Sequence, residues 1–257
     1  LNDKDPVMTQ PVSAVEAPRP GPPPNVLVAD DDEASRRFLH DALQALGARV
    51  IGCSDGPEAL RAASIESFDL LLLDCRMPGS GAREVLAALR ADRAAASRGG
   101  VAVATTAELA LPLRAELLAE GFGDILIKPC RIDDLRRVMS LTPAYMRRLP
   151  VLDDTAALLA SGDSTTMAAL RQLLQQELLV LCNELEQLSE DAVGLRERLH
   201  RLRSSCGFCG TTALSAQVVS LQQLLTSRPA MVDQAMTHFR SVLIETLEAL
   251  DRPQPVA

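Results

Sequence analysis

Four acids, two threonines and a lysine stand where short apolar runs end. Val26 to Ala29 lead into Asp30, Asp31 and Asp32; Leu70 to Leu73 lead into Asp74; Val101 to Ala104 lead into Thr105 and Thr106; Ile125 to Ile127 lead into Lys128. Carboxylates gathered at one place repel unless a cation joins them or their protonation shifts. A hard divalent ion with oxygen ligands, such as Mg2+, is the natural solution. Beside such an ion the Asp74 carboxylate can attack a phosphoryl donor, while a threonine hydroxyl and the lysine ammonium stabilise the transferred oxygens. The chain has neither a glycine-rich phosphate loop nor a dinucleotide fingerprint, so a nucleotide is not the expected direct ligand.

These residues converge only if the apolar runs are neighbouring parallel strands. Runs at 26–29, 49–53, 69–73, 101–104 and 125–127 alternate with amphipathic stretches at 33–46, 57–64, 82–91, 109–119 and 133–141. Strands alternating with helices predict a five-stranded parallel sheet covered on both faces, a doubly wound, flavodoxin-like α/β fold. Ligands of such sheets sit beyond the carboxyl ends of the strands, where the acids, threonines and lysine fall. The unbroken Leu70 to Leu73 run reads as a central strand. Of 26 basic residues only Lys4 and Lys128 are lysines, so Lys128 is a marked choice.

The segments VLVADD, LLLDCRMPG, TTAE and ILIKPC, in this order and spacing, resemble the response-regulator receiver domain over residues 25–141. The resemblance implies that Asp74 is the phosphoacceptor. It implies that Asp30 and Asp31 hold Mg2+ with Asp74 and the backbone carbonyl of Arg76, and that Lys128, followed by a cis Pro129, contacts the phosphoryl group. The family's spacing, 22 residues before Lys128, prefers Thr106 as the hydroxyl, with Thr105 as the alternative. Asp32 is expected to cap the following helix. Two departures stand out. Gly79, Ser80, Gly81 and Ala82 replace the usual Asp-Gly turn, and Ile125 occupies a position where the family often carries an aromatic that swings on phosphorylation.

From residue 153 onward only helical patterns remain, at 153–161, 164–189, 191–207, 212–225 and 230–251, punctuated by Gly162, Gly210 and Pro229. An all-α helical bundle of four main helices behind a short leading one is expected. Leu195, Leu199, Leu202 and Cys206 repeat at helical spacing and bury one face. His200 is one step off that stripe, on an exposed row with Arg196, Arg203 and Gly207, and with Arg198 and Arg201 close by. An exposed imidazole among guanidinium groups can meet another protein's phosphorylated loop. HRLRSSCGFCG resembles the signature of histidine phosphotransfer (HPt) domains at His200, Leu202, Ser205, Cys206 and Gly210, with Arg203 in place of the usual Lys and Ser204 in place of Gly. That resemblance implies that His200 exchanges phosphate with a receiver. His40 and His238 read as ordinary helix residues.

The remaining features narrow the function. A net charge of −8 argues against binding nucleic acid through the overall field, and no run of about 18 apolar residues suggests a membrane span. Six scattered cysteines read as reduced thiols, which suits the cytoplasm. Cys206 and Cys209 form a C-x-x-C, but no second ligand pair follows to make a zinc or redox site. The expected organisation is a disordered proline-rich leader at 1–24, the receiver at 25–141, a linker at 142–152, the HPt-like bundle at 153–251 and a tail at 252–257. A phosphorelay intermediate is the reading. Its partners would be a sensor histidine kinase and a downstream receiver domain, since the chain has no ATP-binding kinase domain of its own. Two alternatives are a phosphorylation-controlled interaction module whose helical domain is not phosphorylated, and the C-terminal part of a hybrid sensor kinase, which the start at Leu1 allows.

Overall fold

The computed structural model describes residues 21–108, 111–227 and 232–252. The expected leader up to residue 20, residues 109–110, residues 228–231 and the expected tail from residue 253 lie outside the described residues. Five strands, β1 (Asn25–Ala29), β2 (Arg49–Cys53), β3 (Leu70–Asp74), β4 (Val101–Thr106) and β5 (Asp124–Ile127), form one parallel sheet in the order β2-β1-β3-β4-β5. Between and after them run α1 (Glu33–Ala45), α2 (Gly56–Ile65), α3 (Ala82–Ala91), α4 (Leu111–Ala119) and α5 (Ile132–Met139). The strand order reverses between β1 and β3, which opens a crevice above their carboxyl ends.

Alternation along the strands divides the sheet into two faces. Leu27, Leu71, Leu73, Ala102 and Ala104 pack with α2 and α3 in one core, and Val26, Val28, Leu70, Leu72, Val103 and Leu126 pack with α1 and α5 in the other. Every residue of β3 is buried, as an apolar run in a central strand requires. Shortening one of these leucines to alanine would cost about 2–5 kcal/mol through lost burial and the cavity left behind.

The expected connector contains one more element. Thr142 caps a short helix, α6 (Pro143–Met146), its hydroxyl accepting from the Tyr145 amide at 3.4 Å, and Ala144 and Tyr145 are buried. Leu149 then touches both the receiver-side core of Tyr145 and the bundle core, so this segment packs between the two halves.

The bundle comprises α7 (Asp154–Ser161), α8 (Ser164–Glu190), α9 (Ala192–Cys209), α10 (Thr212–Ser227) and α11 (Val232–Asp251). The four long helices pack in a ring, α8 on α9, α9 on α10, α10 on α11 and α11 back on α8, with α7 lying on α8 and α9. Leucine supplies most of their core, joined by Cys206, Cys209, Ala213, Val218, Val242 and the single aromatic Phe239, which suits a chain this poor in aromatics. Gly210 ends α9 at φ 66°, and a Cβ there would meet the Asp153 carbonyl oxygen at 2.2 Å, so the turn needs glycine twice over. Buried Arg171 of α8 ties this corner together by donating to the Cys209 carbonyl at 3.1 Å and pairing with Asp154 at 2.8 Å. Helix α10 also touches α5 of the first domain.

Candidate functional site

The strand ends bring Asp30, Asp31 and Asp74 together, with one carboxylate oxygen from each lying within 4.8 Å of the others. Asp30 is fully buried, Asp74 nearly so, and Asp31 is exposed at the rim. Asp30 accepts from the Ser35 hydroxyl at 2.8 Å and from the Asp32 amide at 3.1 Å, while Arg36 donates to its carbonyl at 2.6 Å. Asp32 caps α1 by accepting from the Ala34 amide at 3.0 Å. The three acids of the first strand end thus separate into a buried carboxylate, an exposed one and a helix cap.

Lys128 reaches across from the end of β5 and bridges the two buried acids, with Nζ 2.8 Å from Asp30 Oδ2 and 3.0 Å from Asp74 Oδ1. Burial alone would lower its pKa; the hydrogen bonds to Asp30 and Asp74 outweigh burial and lift it above the ordinary lysine value. The Lys128–Pro129 peptide is cis. One ammonium against three carboxylates leaves the cluster short of positive charge, and the all-oxygen donor set suits a hard divalent cation.

The two threonines separate by strand parity. Thr105 pairs with Asp74 across β3 and β4, on the face of Leu72 and Val103, and its buried hydroxyl donates to Asp74 Oδ1 at 3.2 Å. Thr106 points to the other face, where its hydroxyl donates to the Glu108 carbonyl at 2.8 Å and lines the cleft over Asp74. That cleft, about 170 Å³, is walled by Asp74, Cys75, Arg76, Thr106, Ala107, Glu108 and Lys128. Gly81 allows the loop after β3 to close tightly, since a Cβ there would meet the Cys75 carbonyl oxygen at 2.5 Å. Ile125 is buried in the sheet core.

His200 lies exposed on α9 between two shallow depressions. One is lined by Arg196, Glu197, Arg201 and Gln222, the other by Ala160, Arg203, Ser204, Gly207 and Phe208. Arg196 and Arg203 share its row, as the helical spacing predicts. Arg198 does not belong with them: it lies about 160° round the helix and turns to α8, binding Glu177 at 2.6 Å and approaching Glu184 at 3.5 Å. Residues close in sequence on a helix diverge in direction, and a guanidinium over an acidic neighbour follows the charge. Gln222 reaches the site from α10, and no local pattern around His200 announces it, because only the packing of α9 on α10 brings it there.

The cleft over Asp74 is lined by first-domain residues alone and the depressions beside His200 by bundle residues alone. The two candidate centres therefore share no cavity among the described residues. All six cysteines are free thiols. Burial pushes Cys206 up to about 12 and Cys209 up to about 11, the opposite of an activated redox thiol.

An acid cluster at the switch point of a doubly wound sheet, with a lysine across it and a histidine-bearing bundle behind, defines a phosphoryl-handling class of protein. Residues 26–140 match the family model of the response regulator receiver domain, and residues 165–252 match that of the Hpt domain. The chain therefore carries a receiver domain followed by an Hpt domain. It is 28% identical to sensor protein GacS of Pseudomonas syringae pv. syringae, over 89% of this chain and 28% of that one. It is 27% identical to virulence sensor protein BvgS of Bordetella pertussis strain Tohama I, over 84% of this chain and 20% of that one. Among solved structures, the receiver domain of sensor histidine kinase PA1611 from Pseudomonas aeruginosa PAO1 is 28% identical, with a TM-score of 0.41, over 45% of this chain and 93% of that one. The chain thus spans only 20% to 28% of the length of these sensor proteins. No helix among the described residues is long and apolar enough to cross a membrane.

Proposed function

We propose that this chain is a phosphorelay intermediate that accepts phosphate on Asp74 and exchanges phosphate through His200 with a receiver domain. The observation that carries the reading is Lys128 bridging Asp30 and Asp74 at the floor of a cleft open to solvent. In this reading Asp30, Asp31, Asp74 and the Arg76 carbonyl hold Mg2+, which supplies positive charge to the phosphoryl oxygens during transfer. Lys128 and the Thr106 hydroxyl meet the transferred phosphoryl group, and Arg196 and Arg203 meet the phosphoryl group on His200.

The phosphoryl donor is a sensor histidine kinase and the acceptor from His200 a downstream receiver, either of which can be part of the same longer protein. We assign the chain to the C-terminal relay region of a hybrid sensor kinase working in the cytoplasm, a compartment that suits its free thiols. The separation of the two centres favours transfer between His200 and a receiver on another chain, or a domain movement before transfer within one.

The test is phosphotransfer from a purified kinase through this chain to a separate receiver. His200→Gln should accept phosphate at Asp74 yet fail to pass it on; onward transfer at the wild-type rate would refute the relay. A second reading, in which phosphorylated Asp74 repositions the bundle as a binding surface, draws on the contact of α10 with α5.

A further inference from the structure

Two hydroxyls stand beside Asp74, and they are held differently. Thr106 is engaged twice by its own loop, donating to the Glu108 carbonyl at 2.8 Å and accepting from the Glu108 amide at 3.3 Å. Thr105, only 1% exposed, gives its hydroxyl to Asp74 Oδ1 at 3.2 Å, the oxygen that Lys128 also contacts at 3.0 Å. Among the described residues Oδ2 accepts only from the Arg76 amide, at 3.4 Å. One carboxylate oxygen is therefore clamped from the floor of the site and from β5, while the other is left to react.

We propose that Thr105 is a positioning residue that clamps Asp74 Oδ1, so that Oδ2 forms the bond to phosphorus. The proposal rests on the reading of Asp74 as phosphoacceptor. A lone pair of Oδ2 forms the new P–O bond as the bond from phosphorus to the donor breaks. The electron pair of that bond leaves on the donor, an imidazole nitrogen that takes up a proton or, with acetyl phosphate, the acetate oxygen. Oδ1 then becomes the carbonyl oxygen of a mixed anhydride. Lys128 is drawn toward the new phosphoryl charge, but Thr105 has no other described side-chain partner and keeps donating to the carbonyl. That donation withdraws electron density from the anhydride and eases departure of phosphate. Loss of the Thr105 hydroxyl should thus slow both the gain and the loss of phosphate. A merely structural defect would loosen the site, admit water and shorten the life of the anhydride instead.

The experiment uses the full chain carrying His200→Gln, which blocks onward passage, with acetyl phosphate and Mg2+. Labelling of Asp74 and its first-order loss after donor removal are followed by intact-protein mass spectrometry. Thr105→Val should slow both rates about three- to tenfold, the range expected for one hydrogen bond to a reacting group, and Thr105→Ser should restore both. Thr105→Ala removes the same hydroxyl and serves if the valine variant does not fold. Parental rates in the hydroxyl-free variant, or faster loss of phosphate, would overturn the role of Thr105. A parent chain that takes no more label than Asp74→Asn would overturn the phosphoacceptor reading itself, and this inference with it.

Discussion

Lys128 Nζ stands 3.0 Å from Asp74 Oδ1 while also contacting Asp30 Oδ2 at 2.8 Å, so one ammonium joins the ends of three strands. Removing it leaves two buried carboxylates facing each other. Lys128→Met should destabilise the metal-free chain by about 1–3 kcal/mol, less than for a fully enclosed pair because the lysine is partly solvated. Added Mg2+ should narrow the gap by replacing the lost charge. Urea unfolding of both chains, with and without the ion, checks this.

Asp31 behaves differently because it is exposed and makes no hydrogen bond among the described residues. Asp31→Asn should change metal-free stability by no more than about 0.5 kcal/mol. Mg2+ at a hundred times its dissociation constant stabilises a protein by about 2.7 kcal/mol, and the variant should lose most of that gain at the same concentration. Thermal unfolding over a Mg2+ series reads both quantities.

The arginines of α9 should separate into two kinds. Arg198→Ala, which breaks the bond to Glu177, should cost about 1.5–3 kcal/mol of stability and leave transfer through His200 unchanged once the chain is folded. Arg203→Ala should leave stability nearly unaltered and slow transfer by about tenfold, equivalent to 1.4 kcal/mol in the transition state. Denaturation and phosphotransfer kinetics on the same preparations make the comparison.

Cys206 gives the bundle an alkaline limit. In the unfolded chain a thiol ionises near its ordinary 9.0, whereas burial holds Cys206 protonated to about 12. The unfolded state therefore binds fewer protons between those values, and stability falls as pH rises through them, by up to about 1.4 kcal/mol per pH unit for this group. Cys206→Ala should flatten that slope relative to wild type, at the cost of a small cavity. Stability measured from pH 8 to 11 tests the sign, and an unchanged slope would remove Cys206 as its source.

Much of this arrangement was readable from residue order. Apolar runs ending in Asp30, Asp74 and Lys128 imply parallel strands whose ends meet, because a doubly wound sheet brings all its carboxyl ends to one edge. The role of Thr105 was harder to see, since a fixed spacing from Lys128 points to Thr106. Strand parity, combined with the pairing of Thr105 to Asp74, supplies the missing signal. Gln222 and the pairing of Arg198 with Glu177 depend on which helices pack together, and a single helix's periodicity does not contain that. The short helix α6 was hidden because one turn, capped by Thr142 and led by Pro143, looks like any proline-marked connector.

The central claim is that phosphate enters at Asp74 and leaves through His200. Its most direct test is site-resolved mass spectrometry of the full chain over time after addition of acetyl phosphate and Mg2+. The account predicts label on Asp74 first and on His200 later, label confined to Asp74 in His200→Gln, and no label on either residue in Asp74→Asn. Undiminished label on His200 in Asp74→Asn, or a wild-type chain in which His200 never acquires phosphate, would contradict it.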